Sequence, residues 1–144
     1  MSPDMQAAGR FLTVLENVVT RIDDWGYSLA LRFEAYDRAN GEARMLRGGH
    51  FSVSCGFAID RQTHRWLTFA VSITQEVEQW LVVVTAEDED EGRSYFHWVS
   101  PSMAASSLDS LAETLDRAFV ILDESLQLPE VGAAFAAIRR KKNA

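Results

Sequence analysis

The sequence predicts an α+β fold: an antiparallel sheet meander of five or six strands, with an N-terminal helix and two C-terminal helices packed on it. Three observations carry this. The apolar residues follow a helical period at the start, a period of two through the middle and a helical period again after residue 106. Turn-forming residues divide the middle into hairpins. Strands near 51–59 and 67–73 each show one apolar side and one small, polar side, as a sheet covered on one face does.

The first helix should start at Ser2-Pro3-Asp4. Ser2 suits the cap, Pro3 the first helical position and Asp4 the positive end of the dipole. Ala8, Phe11, Leu12, Leu15, Val18, Val19 and Ile22 then form one apolar stripe, and Gly26 is placed to end the helix. Leu29, Leu31, Phe33 and Ala35 alternate with Ser28, Ala30, Arg32, Glu34 and Tyr36, which predicts a half-buried strand. Asn40-Gly41 predicts the hairpin after it, residues 42–47 a short return strand, and Gly48-Gly49 an interruption.

Phe51, Val53, Cys55, Phe57 and Ile59 make the apolar side of the next strand. Leu67, Phe69, Val71 and Ile73 do the same after a turn near 60–64. Residues 80–84 are apolar on both sides, which predicts a central strand or one covered on both faces. A three-layer form, with a helix on the second face, is the alternative that this run favours. Residues 87–91 are five consecutive acids before Gly92, and the plain reading is a solvated hairpin tip. Residues 94–99 return as a strand, and Pro101 closes the strand region.

In the last third, Ser106 with Asp109 and Ser110 with Glu113 match the capping-box spacing. Leu108, Leu111, Leu115, Ala118, Phe119 and Leu122 form the stripe of one helix. Pro129 opens another, with Val131, Ala134, Phe135 and Ile138 on its inner face. Residues 1–144 read as a single α+β domain whose basic tail, 139–144, frays. A chain of this length buries roughly 70% of its unfolded surface and needs no disulfide or metal for its core.

The formal net charge is −7. Setting aside the four basic residues at 139–142 leaves 10 basic against 21 acidic side chains, a net of −11. Such a surface repels phosphate backbones, so nucleic acid is not expected as a partner, and a basic protein is the natural one. One cysteine, no secretory leader and no apolar run of about 20 residues make the cytoplasm the expected location and exclude a membrane partner.

Chemistry-bearing motifs are absent. Cys55, His50, His64 and His97 fall at no metal-ligand spacing, and Cys55 lies on the core side of its strand. Numbering Glu87 as the first position of a calcium loop places Gly92 correctly at the sixth but Trp98 at the twelfth, where glutamate is needed. Gly48-Gly49-His50 opens no helix and has no nearby lysine, so it is no phosphate loop. No nucleophile elbow is present. No catalytic residue, metal or cofactor is therefore assigned, and the chain reads as non-enzymatic.

The remaining signal is a surface. Ser52, Ser54, Gly56, Ala58, Thr68, Ala70 and Ser72 would line the sheet face turned away from the helices. Trp66 and Tyr36 would fringe it, with either Tyr95 and His97 or Phe96 and Trp98. Glu87, Asp88, Glu89, Asp90 and Glu91 would steer a basic partner, and Tyr95, His97, Trp98 and Trp66 would supply contact area.

The element order departs from that of the type III secretion chaperones. They place a helix between their third and fourth strands, where residues 75–79 are too few for one. In size, acidity and lack of catalytic motifs the chain is similar to small acidic immunity proteins that neutralise secreted bacterial toxins. That analogy covers no motif. It implies a protein-binding inhibitor of a basic toxin or effector domain. A small-ligand protein or enzyme with a pocket between sheet and helices, and a homodimer or other self-associating subunit, are the alternatives.

Overall fold

The computed structural model describes residues 3–143, with side chains from Met5 onward. Helix α1 spans Pro3–Phe33. Six strands follow: β1 (Arg38–Leu46), β2 (His50–Asp60), β3 (Arg65–Gln75), β4 (Trp80–Asp90), β5 (Arg93–Val99) and β6 (Met103–Ala105). Helices α2 (Leu108–Ser125) and α3 (Pro129–Lys142) complete the chain. The strands pair antiparallel in the order β1-β2-β3-β4-β5, and β6 pairs with the far end of β4. The α+β meander expected from the sequence is present. No helix among the described residues is long and apolar enough to cross a membrane.

All three helices pack on one face of the sheet. Val53, Cys55, Phe57 and Ile59 from β2, Leu67, Phe69, Val71 and Ile73 from β3, and Val82, Val84 and Ala86 from β4 meet them in one cluster. The three-layer alternative fails: Leu81 and Val83, on the other side of β4, are only half-buried. Phe135 of α3 marks the junction of the layers. Its ring stacks on Phe33 of α1 at 4.2 Å and meets Phe57 edge-on at 5.4 Å. Along the outer flank α1 and α2 run parallel, joined by Arg10 to Asp109, Arg21 to Asp116 and the Trp25 indole N–H to Asp123.

Helix α1 is longer than the sequence predicts. Residues 28–33 continue the helix instead of starting a strand, because Ile22, Gly26, Leu29, Ala30 and Phe33 prolong its inner stripe while Leu31 is 54% exposed. Leu12 likewise lies outside the stripe, at the surface. Ser2, the expected cap, lies outside the described residues. Gly26 does not end the helix. A Cβ there would stand 3.2 Å from the Cys55 sulfur, so the glycine lets α1 lie close against β2. The helix ends at Glu34, whose φ of 57° is left-handed, and the Ala35 N–H closes it onto the Ala30 carbonyl.

Asn40-Gly41 is not a hairpin turn but a bulge inside β1, between Ala39 opposite Gly56 and Glu42 opposite Ser54. Gly41 is held against α1. Its N–H donates to Asp23 Oδ1 at 2.8 Å, and Arg38 reaches the same oxygen at 3.2 Å. The first hairpin turns instead at Gly48-Gly49, both at φ 72°.

The acidic run also differs from expectation. Strand β4 continues to Asp90, and only Glu91-Gly92 form the tip. After β5, Pro101 does not end the sheet. Buried Ser100 exchanges hydrogen bonds with Val84, and β6 then resumes pairing with Val82, Leu81 and Trp80. The cap of α2 is Ser107, paired reciprocally with Ser110, so neither expected capping box forms.

A Cβ on Gly41 would sit 2.9 Å from the Asp23 backbone nitrogen and 2.9 Å from Ile22. Gly41→Ala should therefore cost about 1–3 kcal/mol of folding stability, as overpacked sites do. Urea unfolding checks this, and a midpoint equal to that of the native chain would contradict the bulge contact.

Candidate functional site

Pairing across a sheet places opposed residues on one face. On the uncovered face of this sheet the rows read Ala58, Trp66 and Glu89; then Ala39, Gly56, Thr68, Glu87 and His97; then Glu42, Ser54, Ala70, Thr85 and Val99. Small side chains on β2 and β3 make a low floor between taller walls. The result is a trough of about 450 Å³, walled by Glu42, Arg44 and Leu46 on β1 and by Thr85, Glu87 and Glu89 on β4. Trp66 closes one end and leans toward Gly56, where a Cβ would stand 3.4 Å from its ring. Beyond Trp66 a second hollow of about 420 Å³ continues between His64, Glu89, Asp90 and Glu91.

The acids of β4 split by alternation. Glu87 and Glu89 face the trough. Asp88 faces the helices, is 4% exposed, and takes a bidentate grip from Arg65 at 2.9 and 2.8 Å. Asp90 accepts a hydrogen bond from the Tyr95 hydroxyl at 3.0 Å. Glu91 is exposed at the tip.

The Glu87 carboxyl is held above the usual carboxylate pKa range. Its side chain is 28% exposed, and this burial is the leading cause. A hydrogen bond with Glu89 and that residue's charge raise it further, against a smaller opposite pull from His97, whose Nε2 lies 3.7 Å away. The trough thus holds two neighbouring carboxylates, one of them ionising reluctantly. On the opposite wall Glu42 is already paired with Arg44 at 3.0 Å.

Of the residues the sequence singles out, the structure brings Trp66, Glu87, Glu89 and His97 together on the open face, with Asp90 and Glu91 at its end. Five do not join them. Trp98 lies opposite Ala86 and packs against the core. Tyr95 turns to the helix side between the guanidinium groups of Arg65 and Arg93, because the ladder slips between Asp88 and Glu89. Asp88 is a structural ion pair. Tyr36, expected on the fringe, lies under Lys142 near the helices. Phe96, likewise, is on the core side.

Nothing in the sequence pattern points to Glu42, Arg44 and Leu46, which line the trough. They reach the open face only because the bulge at Gly41 shifts their alternation.

Among the described residues no group of three or more His, Cys, Asp or Glu is placed to hold a metal. Cys55 is buried, and desolvation pushes its thiol up to about 12, so it is no thiolate nucleophile near neutrality. The arrangement can attract and seat cationic groups. No protein-family model matches the chain, and no curated protein or solved structure matches it.

Two outcomes follow from this geometry. A raised carboxyl favours folding when protonated, and that advantage is lost as pH climbs through the folded value. Glu87→Gln should accordingly raise the urea midpoint at pH 7, and the gain should vanish below the ordinary value of 4.5. A pH-independent gain would show that the charge is not the cause. Arg65→Ala leaves buried Asp88 without its cation and should cost about 1.5–3 kcal/mol, read from the same unfolding curves.

Proposed function

We propose that this chain is a non-enzymatic binding protein that docks a basic protein on the uncovered face of its sheet, in the manner of an acidic immunity-type inhibitor. The observation that carries this reading is the pair Glu87 and Glu89. Two carboxylates stand side by side at the wall of a preformed trough, and the partial burial of Glu87 makes its charge unfavourable in the free protein. A lysine or arginine from a partner would relieve that cost, so the charge favours the bound state.

Other features support the same reading. Trp66 offers a large aromatic surface between the trough and the acidic tip, and aromatic anchors dominate many interfaces. Leu81, Val83 and Val99 add apolar area on the same face, and the net charge of −7 draws basic proteins from a distance. The trough volume favours a second reading, a small cationic ligand, because about 300–1,000 Å³ is the usual size of such sites.

The test is affinity capture from a cell lysate with the native chain and with a Glu87→Gln/Glu89→Gln variant. Asp88 is left intact because it holds Arg65. The expected result is a basic protein retained by the native chain and lost with the variant. Its association rate with the native chain should fall roughly tenfold as ionic strength rises from about 0.01 to 0.15 M. An association rate indifferent to salt and to both substitutions would falsify the docking reading.

A further inference from the structure

A second concavity lies on the helix layer, away from the trough. A groove of about 650 Å³ runs between the C-terminal end of α1 and the length of α3. Its base is Phe33, stacked on Phe135, together with Ala136 and Gly132. Its rim carries Arg32, Arg139 and Arg140. Among the described residues, only Arg139 of these three has an acid in ion-pair reach, Glu34 at 3.4 Å. The Arg32 guanidinium rests over the Phe33 ring at 4.9 Å.

Cations near a helix C-terminus offset the helix dipole, which accounts for the charge of 139–142. It does not account for Gly132. Glycine inside a helix is less favourable than alanine. A Cβ at Gly132 would meet no atom within 4 Å, so packing inside the chain does not require the glycine. Gly132 shares one stripe of α3 with Ala136, Arg139 and Arg140, and it lines the groove about 11 Å along the axis from the arginines. The stripe is therefore open and apolar at one end and cationic at the other.

We propose that this groove binds a small amphipathic anion. A flat apolar body would lie along Ala136 and Gly132 against the edge of Phe33, whose ring faces are taken by Phe135 and Arg32, and a carboxylate, sulfonate or phosphate head would sit among Arg32, Arg139 and Arg140. Guanidinium forks match such oxygen pairs in geometry and charge. The length of the stripe suits an anion attached to one or two aromatic rings. This site is independent of the trough and of the partner proposed for it.

The test is a fluorescence titration of the full chain with 1-anilinonaphthalene-8-sulfonate, set against its neutral analogue N-phenyl-1-naphthylamine. The sulfonate should saturate one site, and the neutral analogue should bind at least about tenfold more weakly. Arg32→Gln/Arg140→Gln should weaken sulfonate binding by about tenfold or more. Gly132→Leu should do the same by filling the groove. Its melting temperature should be no lower than that of the native chain, because leucine favours helix and the space is open. Glu87→Gln/Glu89→Gln should bind the sulfonate as the native chain does. Unchanged binding in either groove variant, equal binding of the neutral analogue, or no saturable binding at all overturns the proposal.

Discussion

The carboxylate of Asp23 and the glycine it grips, Gly41, decide which way the edge strand faces. A strand with no bulge would send Glu42, Arg44 and Leu46 toward the helices and Ala43 and Met45 outward. The extra residue at Asn40-Gly41 reverses this, since one residue of slip turns every later side chain to the other face. The bulge is held because the Gly41 N–H donates to Asp23 Oδ1 and Arg38 shares that oxygen. The same contacts draw Asp23 below the usual carboxylate range, the Gly41 N–H contributing most. One wall of the trough therefore depends on a contact made on the other side of the sheet.

The opposite wall is built by a different economy of charge. A strand with four consecutive acids would be poor if all of them met the same neighbours. Alternation separates them, and each side finds its own solution. Asp88, turned inward, is neutralised by Arg65 with two short hydrogen bonds. Glu87 and Glu89, turned outward, are left beside each other, and among the described residues His97 is the one basic group near Glu87. A structure selected for stability alone would place a cation there, as it does at Glu42 with Arg44. Under the docking proposal, a cation of the partner would supply that missing compensation.

Much of the fold was legible in the sequence because β2 and β3 obey period two without interruption, and α2 and α3 obey the helical period. The failures share one cause. At residues 28–33 the apolar positions fit either period, and the stacking of Phe33 on Phe135, with the close approach of Gly26 to Cys55 earlier in the same helix, settles the matter in favour of helix. Asn40-Gly41 is a local turn signal overridden by its anchor on α1, 18 residues earlier in the chain. The acidic run looked like a loop because the arginine that makes Asp88 tolerable in a strand lies 23 residues away. The small-residue floor and Trp66 were readable for the open face; Arg44 was not, because no local pattern announces a bulge held by a distant helix.

The two concavities lie on opposite layers and carry opposite charge. The sheet face presents Glu87, Glu89 and Glu91, and the helix layer presents Arg32, Arg139 and Arg140. Such a separation gives the molecule a direction as well as a net charge. A basic body approaching at random is turned toward the sheet and away from α3, so the field favours orientations that bring it to the trough. Screening confines this effect to about 8 Å at physiological salt, a distance over which the two faces act separately. The basic end of α3 thus does not cancel the acidity of the trough. It removes attraction from the face where a basic partner would find only helices.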